Sequence, residues 1–346
     1  MSGGVDSSVA AYLLKEQGYD VIGLTFRGWP QDCRSIEEDK CCGPQAVADA
    51  RMVAHALDIP YYVIDEIETF KREVMDYFAD EYRRGRTPNP CVICNEKVKF
   101  GSLLRKAQGL GAETIATGHY ARITKNGRYE LRKSRDERKD QTYFLFTLNQ
   151  DQLARAMFPL GDMTKAEVRS IAKEIGLKTY GKEESQEVCF VPENDYRMFL
   201  RESAGVTDRQ GEIVTKAGTL LGHHTGIHNF TIGQREGLNL GGQPRPLYVL
   251  ELVAESNRVV VGEADELLRD EFEVSNCVWH CDPPTKPIEV TVKPRHQHAG
   301  AKAYVEAIPE NRARVRLPEP QRAITPGQAA VFYRDKLVVG GGWISS

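Results

Sequence analysis

The stretch SGGVDSS, residues 2–8, decides the fold because it joins a tight glycine turn to the start of an apolar helix. The glycines permit the turn, and Asp6 or Ser7 is a suitable cap for a helix predicted over residues 7–17. Backbone N–H groups and the positive end of the helix dipole would then face the same point. The stretch therefore predicts a phosphate-binding cradle.

This cradle differs from a Walker A loop. It lacks the Gly-Lys-Ser/Thr ending, and with it the lysine that reaches the β- and γ-phosphates of a nucleotide. A loop that grips pyrophosphate without that lysine suits adenylation, in which pyrophosphate leaves and AMP stays on the substrate.

The residues that follow alternate between strand-like and helix-like patterns. Three runs have strand patterns: YDVIGLTF (19–26), YYVI (61–64) and ETIATG (113–118). Three have helical periodicity: PQAVADARMVAHALDI (44–59), FKREVMDYFADEYRRG (70–85) and TKAEVRSIAKEIGL (164–177). Such alternation predicts an α/β fold with a doubly wound parallel sheet.

The residue pattern of the sequence changes after about residue 200. Residues 211–242 are glycine-rich, and β-branched runs alternate with polar residues from Val253 onward. This pattern predicts a small β-rich domain and then an antiparallel β-barrel. We therefore expect domains at residues 1–200, 201–264 and 265–346.

The composition and charge of the chain limit the class of protein to which it can belong. The 346 residues carry a net charge of −3, with no apolar run long enough to span a membrane and no signal-peptide pattern at the N-terminus. We therefore expect a cytoplasmic protein whose cysteines act as thiols, metal ligands or catalytic groups. Residues 125–139 and 286–346 are locally basic and could hold a polyanion, although such runs are often only solvated surface.

The cradle sequence resembles the signature of the PP-loop ATP pyrophosphatases, which activate an oxygen by adenylation. The resemblance implies ATP and Mg²⁺ as cofactors. In that superfamily the loop follows a first β-strand, whereas here Met1 stands directly at the loop. Either a strand precedes Met1 in the complete protein or the sheet lacks an inner strand, and we expect the former because the loop needs its support.

Further motifs narrow the resemblance to the bacterial tRNA-specific 2-thiouridylases, over nearly the whole chain. They are GRTPNPCVICNEKVKFGSLL (85–104), ATGHYARI (116–123), KDQTYFLF (139–146), FPLGDMTKAEVR (158–169), ESQEVCFV (184–191) and FTIGQREGL (230–238). The family is implied to replace O2 of the wobble uridine of tRNA with sulfur, with tRNA and an upstream sulfur-carrier protein or cysteine desulfurase as partners. We expect the protein to act as a monomer.

Replacing a base oxygen with sulfur requires an activated oxygen and a sulfur donor. A cysteine persulfide can deliver the sulfur, and a second thiol can resolve the resulting disulfide. By resemblance, Cys94 matches the attacking thiol and Cys189 the persulfide carrier, with Asp6 as a further catalytic residue. A plain buried cysteine is the alternative interpretation of Cys189.

Cys91 leaves a second route open, because many family members have an acidic residue at this position. Cys91, Cys94 and Cys189 could instead hold a [4Fe–4S] cluster with one open iron, or less readily a zinc ion. Cys33, Cys41 and Cys42 form another thiol-rich stretch whose role the sequence does not assign, and Cys277 and Cys281 are interpreted as structural.

The resemblance also implies the binding residues. The predicted ATP site comprises Met1, Ser2, Gly3, Gly4, Val5, Asp6, Ser7, Phe26 and Gly118. The predicted target-base and tRNA contacts are Asn89, Pro90, Cys91, His119, Lys139, Asp140, Gln141, Arg295, His296 and Gln328, although the family more often has an aromatic residue at the place of His296. The alternative interpretation of Phe26 is a residue that only packs in the core. The alternative interpretation of Arg295 is a surface residue that only contributes to solubility.

Two other functions remain open at this point. A different adenylating synthetase on the same scaffold would use ammonia or an amine and need no cysteine. A non-catalytic, metal-stabilised RNA-binding protein would consume no ATP.

Overall fold

The computed structural model describes residues 1–28, 43–181 and 188–345. These residues form two compact units, described separately below. The first comprises Met1–Val74, Pro90–Tyr196 and Lys336–Val338, and the second comprises Met75–Asn89, Arg197–Asp335 and Val339–Ser346. Cys33, Cys41 and Cys42, whose role the sequence does not assign, lie outside the described residues. The three predicted domain ranges stay a prediction.

The first unit has the predicted α/β character. Its helices are α1 (Val5–Glu16), α2 (Pro44–Ala56), α3 (Ile67–Phe70), α5 (Pro90–Ile93), α6 (Leu103–Gly109), α7 (Gln150–Ala154), α8 (Lys165–Glu174) and the start of α9 (Tyr196–Glu202). Its strands are β1 (Gly23–Arg27), β2 (Tyr61–Asp65), β3 (Ile115–Ala116), β4 (Ala121–Asn126), β5 (Arg128–Lys133) and β6 (Ala156–Met157).

Two of the strand pairs in this unit are parallel, as predicted. β1 pairs with β2, and β3 pairs with β6. The helix α1 packs against α8, and apolar residues of both, among them Val9 and Val168, are fully buried in one core. This core fixes the position of the cradle at the start of α1.

Two differences from the sequence interpretation concern local structure. The helix predicted over residues 70–85 contains a π-helical stretch, Lys71–Asp76, before α4 (Tyr77–Arg83), and a second π-helical stretch runs over Cys94–Ser102. In addition, much of the basic stretch 125–139 forms an antiparallel hairpin of β4 and β5, which turns at Gly127 with φ of +73°. Residue periodicity does not separate an α-helix from a π-helix, so the sequence could not reveal the π-helical stretches.

The second unit is rich in β-structure, also as predicted. A four-stranded sheet has the order β8 (Leu220–His224), β7 (Gly211–Thr215), β10 (Arg258–Gly262), β9 (Tyr248–Val253). Six longer strands follow: β11 (Leu268–Trp279), β12 (Ile288–Lys293), β13 (Ala301–Ile308), β14 (Arg312–Arg322), β15 (Ala329–Arg334) and β16 (Leu337–Ile344). Because β11 pairs with both β14 and β16, these six strands close into a barrel.

Alternating residues of the barrel strands fill its interior. Val290 and Val292 of β12 and Val305 of β13 are at most 4% exposed and belong to one apolar cluster. This alternation is the period-2 pattern that the sequence displayed. Among the described residues, no helix has the length and apolar composition needed to cross a lipid bilayer.

Candidate active site

The cradle is built at the start of α1. The helix begins at Val5 with Gly4 as its N-cap, so Asp6 and Ser7 lie in the first turn and the prediction that one of them is the cap was wrong. The Ser7 hydroxyl instead donates to the Gly4 carbonyl oxygen (3.1 Å) and accepts from the Ser2 amide (3.1 Å). A cap without a side chain leaves room for an anion at the N–H groups of the first turn.

Two glycines allow close packing around this turn. Gly3 has a φ of +68°, and a Cβ there would lie 2.4 Å from the carbonyl oxygen of Ala46 at the start of α2. A Cβ at Gly118 would lie 2.7 Å from the backbone of Asp6 and Ser7. Gly118 therefore supports the cradle from the segment after β3, and any larger residue would displace the turn.

Met1 lies beside β1. Its amino group donates to the Leu24 carbonyl oxygen, and its own carbonyl oxygen accepts from the Thr25 hydroxyl at 2.6 Å. Val5 is buried in the core at 4% exposure. Met1 and Val5 therefore hold the cradle against the rest of the unit at both ends of the turn.

The carboxylate of Asp6 has two partners from distant parts of the chain. Lys165 donates from Nζ to both carboxylate oxygens, at 2.7 and 2.8 Å, and the Tyr120 hydroxyl donates to Oδ1 at 2.9 Å. Lys165 is only 7% exposed and its ammonium also lies over the Tyr120 ring, 5.8 Å from the centroid. Sequence reasoning missed Lys165, which lies 159 positions from Asp6.

Phe26, one of the predicted ATP-site residues, belongs to a row of three aromatic rings. The Phe70 ring lies 5.9 Å from that of Phe26 and 5.8 Å from that of Phe190, the residue after Cys189. Phe70 is fully buried, and a Cβ at Gly28 would lie 3.0 Å from its ring. The row is therefore tightly packed and connects the end of β1 with the Cys189 segment.

The cysteines of the first unit occupy different settings. Cys91 lies half-buried in α5, Cys94 is buried at the start of the π-helical stretch 94–102, and Cys189 is half-buried in a turn. α3, which carries Phe70, packs against the stretch that begins at Cys94. The stretch that begins at Cys94 and the Cys189 segment, through Phe190, thus both contact the helical turn that carries Phe70.

Asn95 is a second residue that sequence reasoning missed. Its side-chain amide donates to the Phe144 carbonyl oxygen at 3.0 Å, and the side chain is almost fully buried beside Cys94. Its carbonyl oxygen Oδ1 is buried with no hydrogen-bond partner among the described residues. A buried acceptor of this kind is costly unless a ligand satisfies it.

His119 packs half-buried between two aromatic rings, with centroids 6.4 Å from Phe100 and 6.0 Å from Phe158. Its Nδ1 lies 2.7 Å from the Thr117 hydroxyl. Desolvation, and secondarily the positive charge of Lys99, hold the pKa of the His119 imidazole well below its ordinary value. The ring is therefore neutral at physiological pH.

The predicted tRNA contacts at residues 139–141 have partners within the unit. Asp140 accepts from the Ser134 amide (3.1 Å) and the Thr142 hydroxyl (2.6 Å). Gln141 accepts from the Tyr120 amide at 2.9 Å, next to the ring that holds Asp6. Lys139 is half-buried in the preceding turn. Asp140 and Gln141 thus hold the loop of residues 139–141 in place through hydrogen bonds within the unit.

The remaining predicted contacts divide between the units. Pro90 begins α5 in the first unit, whereas Asn89 ends the segment Met75–Asn89 of the second unit and is buried. Gln328 does not point away from the protein: its amide donates to the carbonyl oxygens of Thr87 and Pro88.

Arg295 and His296 are exposed on the loop after β12. Arg295 donates to the Arg322 carbonyl oxygen at 3.4 Å, which leaves its charge uncompensated by that contact. Three other arginines counted in the basic C-terminal stretch lie opposite glutamates on neighbouring strands: Arg312 with Glu273, Arg314 with Glu306, and Arg316 with Glu271. The sequence count therefore overstates the positive charge that the barrel offers to a polyanion.

No group of three or more His, Cys, Asp or Glu side chains in the described part of the chain is placed to hold a metal ion. Cys91, Cys94 and Cys189 do not form such a group, so the geometry does not fit an iron–sulfur cluster. Asp6 offers the oxygen ligand that Mg²⁺ prefers, and Mg²⁺ commonly takes one carboxylate together with nucleotide phosphates. Cys277 is buried in the barrel, which raises the pKa of its thiol to about 12 and agrees with a structural role.

Comparison with known families first defines the class. Residues 1–193 match the family model described as the tRNA methyl transferase HUP domain, which makes the first part of the chain an α/β domain of the HUP type. Residues 197–263 match the tRNA methyl transferase PRC-barrel domain, and residues 269–344 match the aminomethyltransferase beta-barrel domain.

Individual relatives then identify the family. The chain is 50% identical to the tRNA-specific 2-thiouridylase MnmA of Geobacter metallireducens, over 100% of this chain and 95% of that relative. It is 49% identical to that of Clostridium perfringens (100% and 97% covered) and 48% identical to that of Clostridium acetobutylicum (99% and 98%). The chain belongs to the tRNA-specific 2-thiouridylase family, and the resemblance inferred from the sequence is confirmed.

Proposed function

We propose that this protein is a tRNA-uridine 2-sulfurtransferase. It adenylates O2 of the wobble uridine with ATP and replaces that oxygen with sulfur, releasing AMP and pyrophosphate. Two facts support the proposal: the curated relatives carry this activity in their name, and a phosphate cradle shares a unit with two cysteines of the required kind.

The observation that carries the proposal is the aromatic row Phe26–Phe70–Phe190. It runs from the end of β1, where ligands of parallel sheets bind, to the residue beside Cys189. Cys94 begins the helical stretch on which the Phe70 turn packs. A nucleotide at the cradle and the thiol pair would therefore meet at one carbonyl group of the base, with O2 adenylated and C2 attacked by the persulfide.

In the adenylation step, O2 of the uracil attacks the α-phosphorus of ATP and the bond to pyrophosphate breaks. The N–H groups at the start of α1 stabilise the negative charge on the phosphates. Mg²⁺ bound with ATP would offset further phosphate charge, and Asp6 is the cradle carboxylate able to hold it.

In the sulfur-transfer step, Cys189 carries a persulfide. Its outer sulfur attacks C2, and the bond from C2 to the oxygen of AMP breaks. The Cys94 thiolate then attacks the Cys189 Sγ, which breaks the S–S bond and leaves C2=S on the base. A Cys94–Cys189 disulfide remains, because two electrons have passed from the thiols to the transferred sulfur, and an external dithiol must reduce it.

The tRNA contacts proposed are Asn89 and Pro90 at the flipped target base, together with Cys91, His119 and Lys139. Asp140, Gln141 and Gln328 would act mainly by ordering these loops, and Arg295 and His296 would meet the phosphate backbone. A sulfur-carrier protein or a cysteine desulfurase loads Cys189. Since these reactants are cytoplasmic, we propose that the protein acts there, as a monomer.

The test separates the two chemical steps. With unmodified tRNA, ATP and a persulfide donor, Cys189→Ser and Cys94→Ser should make no 2-thiouridine, while both still form AMP on adding tRNA. Cys281→Ser is the matched control, because Cys281 is a half-buried cysteine of the barrel, and it should retain full activity.

Three results would contradict the proposal. Full thiolation by both cysteine variants would favour an adenylating synthetase with an amine nucleophile. Absence of ATP consumption would favour an RNA-binding protein, and methyl transfer to tRNA without AMP release would favour the chemistry named in the domain descriptions.

A further inference from the structure

Tyr120 connects the cradle with the loop that carries three of the predicted tRNA contacts, residues 139–141. Its side chain is only 2% exposed, and its hydroxyl donates to Oδ1 of Asp6 at 2.9 Å. Its backbone pairs with Gln141 in both directions. The Tyr120 amide donates to the Gln141 side-chain oxygen, and the Gln141 amide donates to the Tyr120 carbonyl oxygen, each at 2.9 Å. Tyr120 therefore contacts a cradle carboxylate at one end and the loop at the other.

The same loop also contacts the second partner of the carboxylate. The Lys165 ammonium is bonded to Asp6, whereas the Lys165 backbone amide donates to the Asp136 carboxylate at 3.0 Å. Tyr120 and Lys165, which hold the Asp6 carboxylate, are thus both bonded through their backbone to residues 136–141. A change in the position of this loop would therefore be felt at the cradle through two short chains of hydrogen bonds.

We propose that Tyr120 is a positioning residue that couples the ATP cradle to bound tRNA. RNA held at residues 139–141 fixes the Tyr120 backbone, and the Tyr120 hydroxyl then fixes the orientation of the Asp6 carboxylate beside the phosphates. Coupling of this kind is reciprocal, so the factor that tRNA adds to ATP affinity is also the factor that ATP adds to tRNA affinity. It ties adenylation to the presence of the base that is to be modified. The coupling rests on the proposed function in taking ATP and tRNA as the two ligands.

The first experiment measures the affinity for tRNA with and without α,β-methylene ATP, an analogue that cannot release pyrophosphate. In the parent, the analogue should tighten tRNA binding about 5- to 150-fold, the usual range of coupling between two sites. Tyr120→Phe keeps the ring and the backbone bonds to Gln141 and removes the hydrogen bond to Asp6. It should abolish this factor and leave the affinity for each ligand alone nearly unchanged, because Asp6 keeps Lys165 as a partner. Tyr19→Phe, at an exposed tyrosine of the same unit, is the control and should keep the factor.

A second variant tests the other end of the connection. Gln141→Leu removes the acceptor of the Tyr120 amide and leaves the bond from the Tyr120 hydroxyl to Asp6, and it should lose the coupling as well. The readout is the ratio of two tRNA affinities, so a direct effect of Gln141 on RNA does not obscure it.

Two results would overturn this role of Tyr120. The first is full coupling in either variant, including a variant that loses affinity for both ligands, which would show a merely structural role. The second is a parent protein without coupling, and thiolation by that parent would leave the proposed function standing. Coupling without thiolation would instead count against the proposed function alone.

Discussion

The side chain of Gln328 donates to the carbonyl oxygen of Thr87 at 3.0 Å and to that of Pro88 at 3.3 Å. The Thr87 amide in turn donates to the Pro326 carbonyl oxygen at 2.9 Å. A Cβ at Gly327 would lie 2.9 Å from the Thr87 backbone, so this turn of the barrel fits closely against the loop that ends at Asn89. Gln328 is therefore a support for the Asn89 loop within the second unit.

We expect Gln328→Leu to raise hydrogen exchange at the Thr87 and Asn89 amides, because two hydrogen bonds to this loop are lost. The destabilisation should be about 1–3 kcal/mol, since two part-buried carbonyl groups lose their donor. Hydrogen-exchange mass spectrometry measures the effect, with Gln243→Leu in an exposed loop as control. Unchanged exchange in residues 86–89 would show that Gln328 does not order this loop.

Arg295 and Arg316 should differ in their contribution to RNA binding. Arg295 is exposed on a loop, whereas Arg316 is held 2.7 Å from the Glu271 carboxylate. Arg295→Ala should therefore reduce the slope of log affinity for tRNA against log salt by about one, and Arg316→Ala should leave it nearly unchanged. Filter binding at several salt concentrations measures both slopes. Equal effects of the two substitutions would mean that the ion pair with Glu271 does not keep Arg316 from contacting the RNA phosphates.

Cys91 distinguishes the persulfide route from the cluster route. On the persulfide route it is a neighbour of Cys94, and Cys91→Asp should keep thiolation within about twofold, as no thiolate nucleophile is lost. On the cluster route the same change replaces a thiolate ligand by a harder oxygen ligand, and activity should fall in air. The measurement is thiolation together with the iron content of anaerobically purified protein. An iron-dependent parent with an inactive Cys91→Asp variant would establish the cluster route.

His119 should remain neutral under mild acid. Its pKa in the folded protein is well below that of the unfolded chain because the ring is desolvated. Burial of the neutral His119 ring therefore makes its full contribution to the free energy of unfolding above about pH 6.5. This contribution is lost as pH falls, since the unfolded chain then binds a proton that the folded protein does not. We expect the histidine NMR resonance that His119→Asn removes to keep its chemical shift through the pH range in which an unperturbed imidazole takes up its proton. His55→Asn, which removes a different resonance, checks the assignment. A midpoint near 6.5 would refute this prediction.

The local patterns of the chain were sufficient to predict much of the fold. The strand YYVI became β2, the helix pattern at residues 164–177 became α8, and the cradle was correctly placed before α1. These elements are decided by residues near one another in sequence, by periodicity and by caps. The π-helical start at Cys94 was not foreseen, since its apolar spacing does not differ enough from that of an α-helix.

Long-range contacts were beyond the sequence interpretation. The pairing of Lys165 with Asp6 depends on how α8 packs against α1, which no local pattern encodes. The same limit applies to Gln328, whose partners at Thr87 and Pro88 lie about 240 positions away. The basic count of the C-terminal stretch is subject to a related limit: Arg312, Arg314 and Arg316 meet glutamates from other strands only after the barrel forms, whereas the prediction that this stretch binds a polyanion stays a prediction.

Closure of that barrel restricts how it can hold a partner. Each of its six strands already has a neighbour on both sides, because β11 joins β14 to β16. Along the length over which these six strands pair, the backbone therefore has no open row of N–H and C=O groups to which a foreign strand could be added, and β5 pairs with β16 only at Leu337, the first residue of β16. Any macromolecule recognised by this domain must be read by outward-pointing side chains and by the loops at its ends. Changes of specificity should therefore arise from substitutions on that outer face and in those loops, leaving the strand register intact.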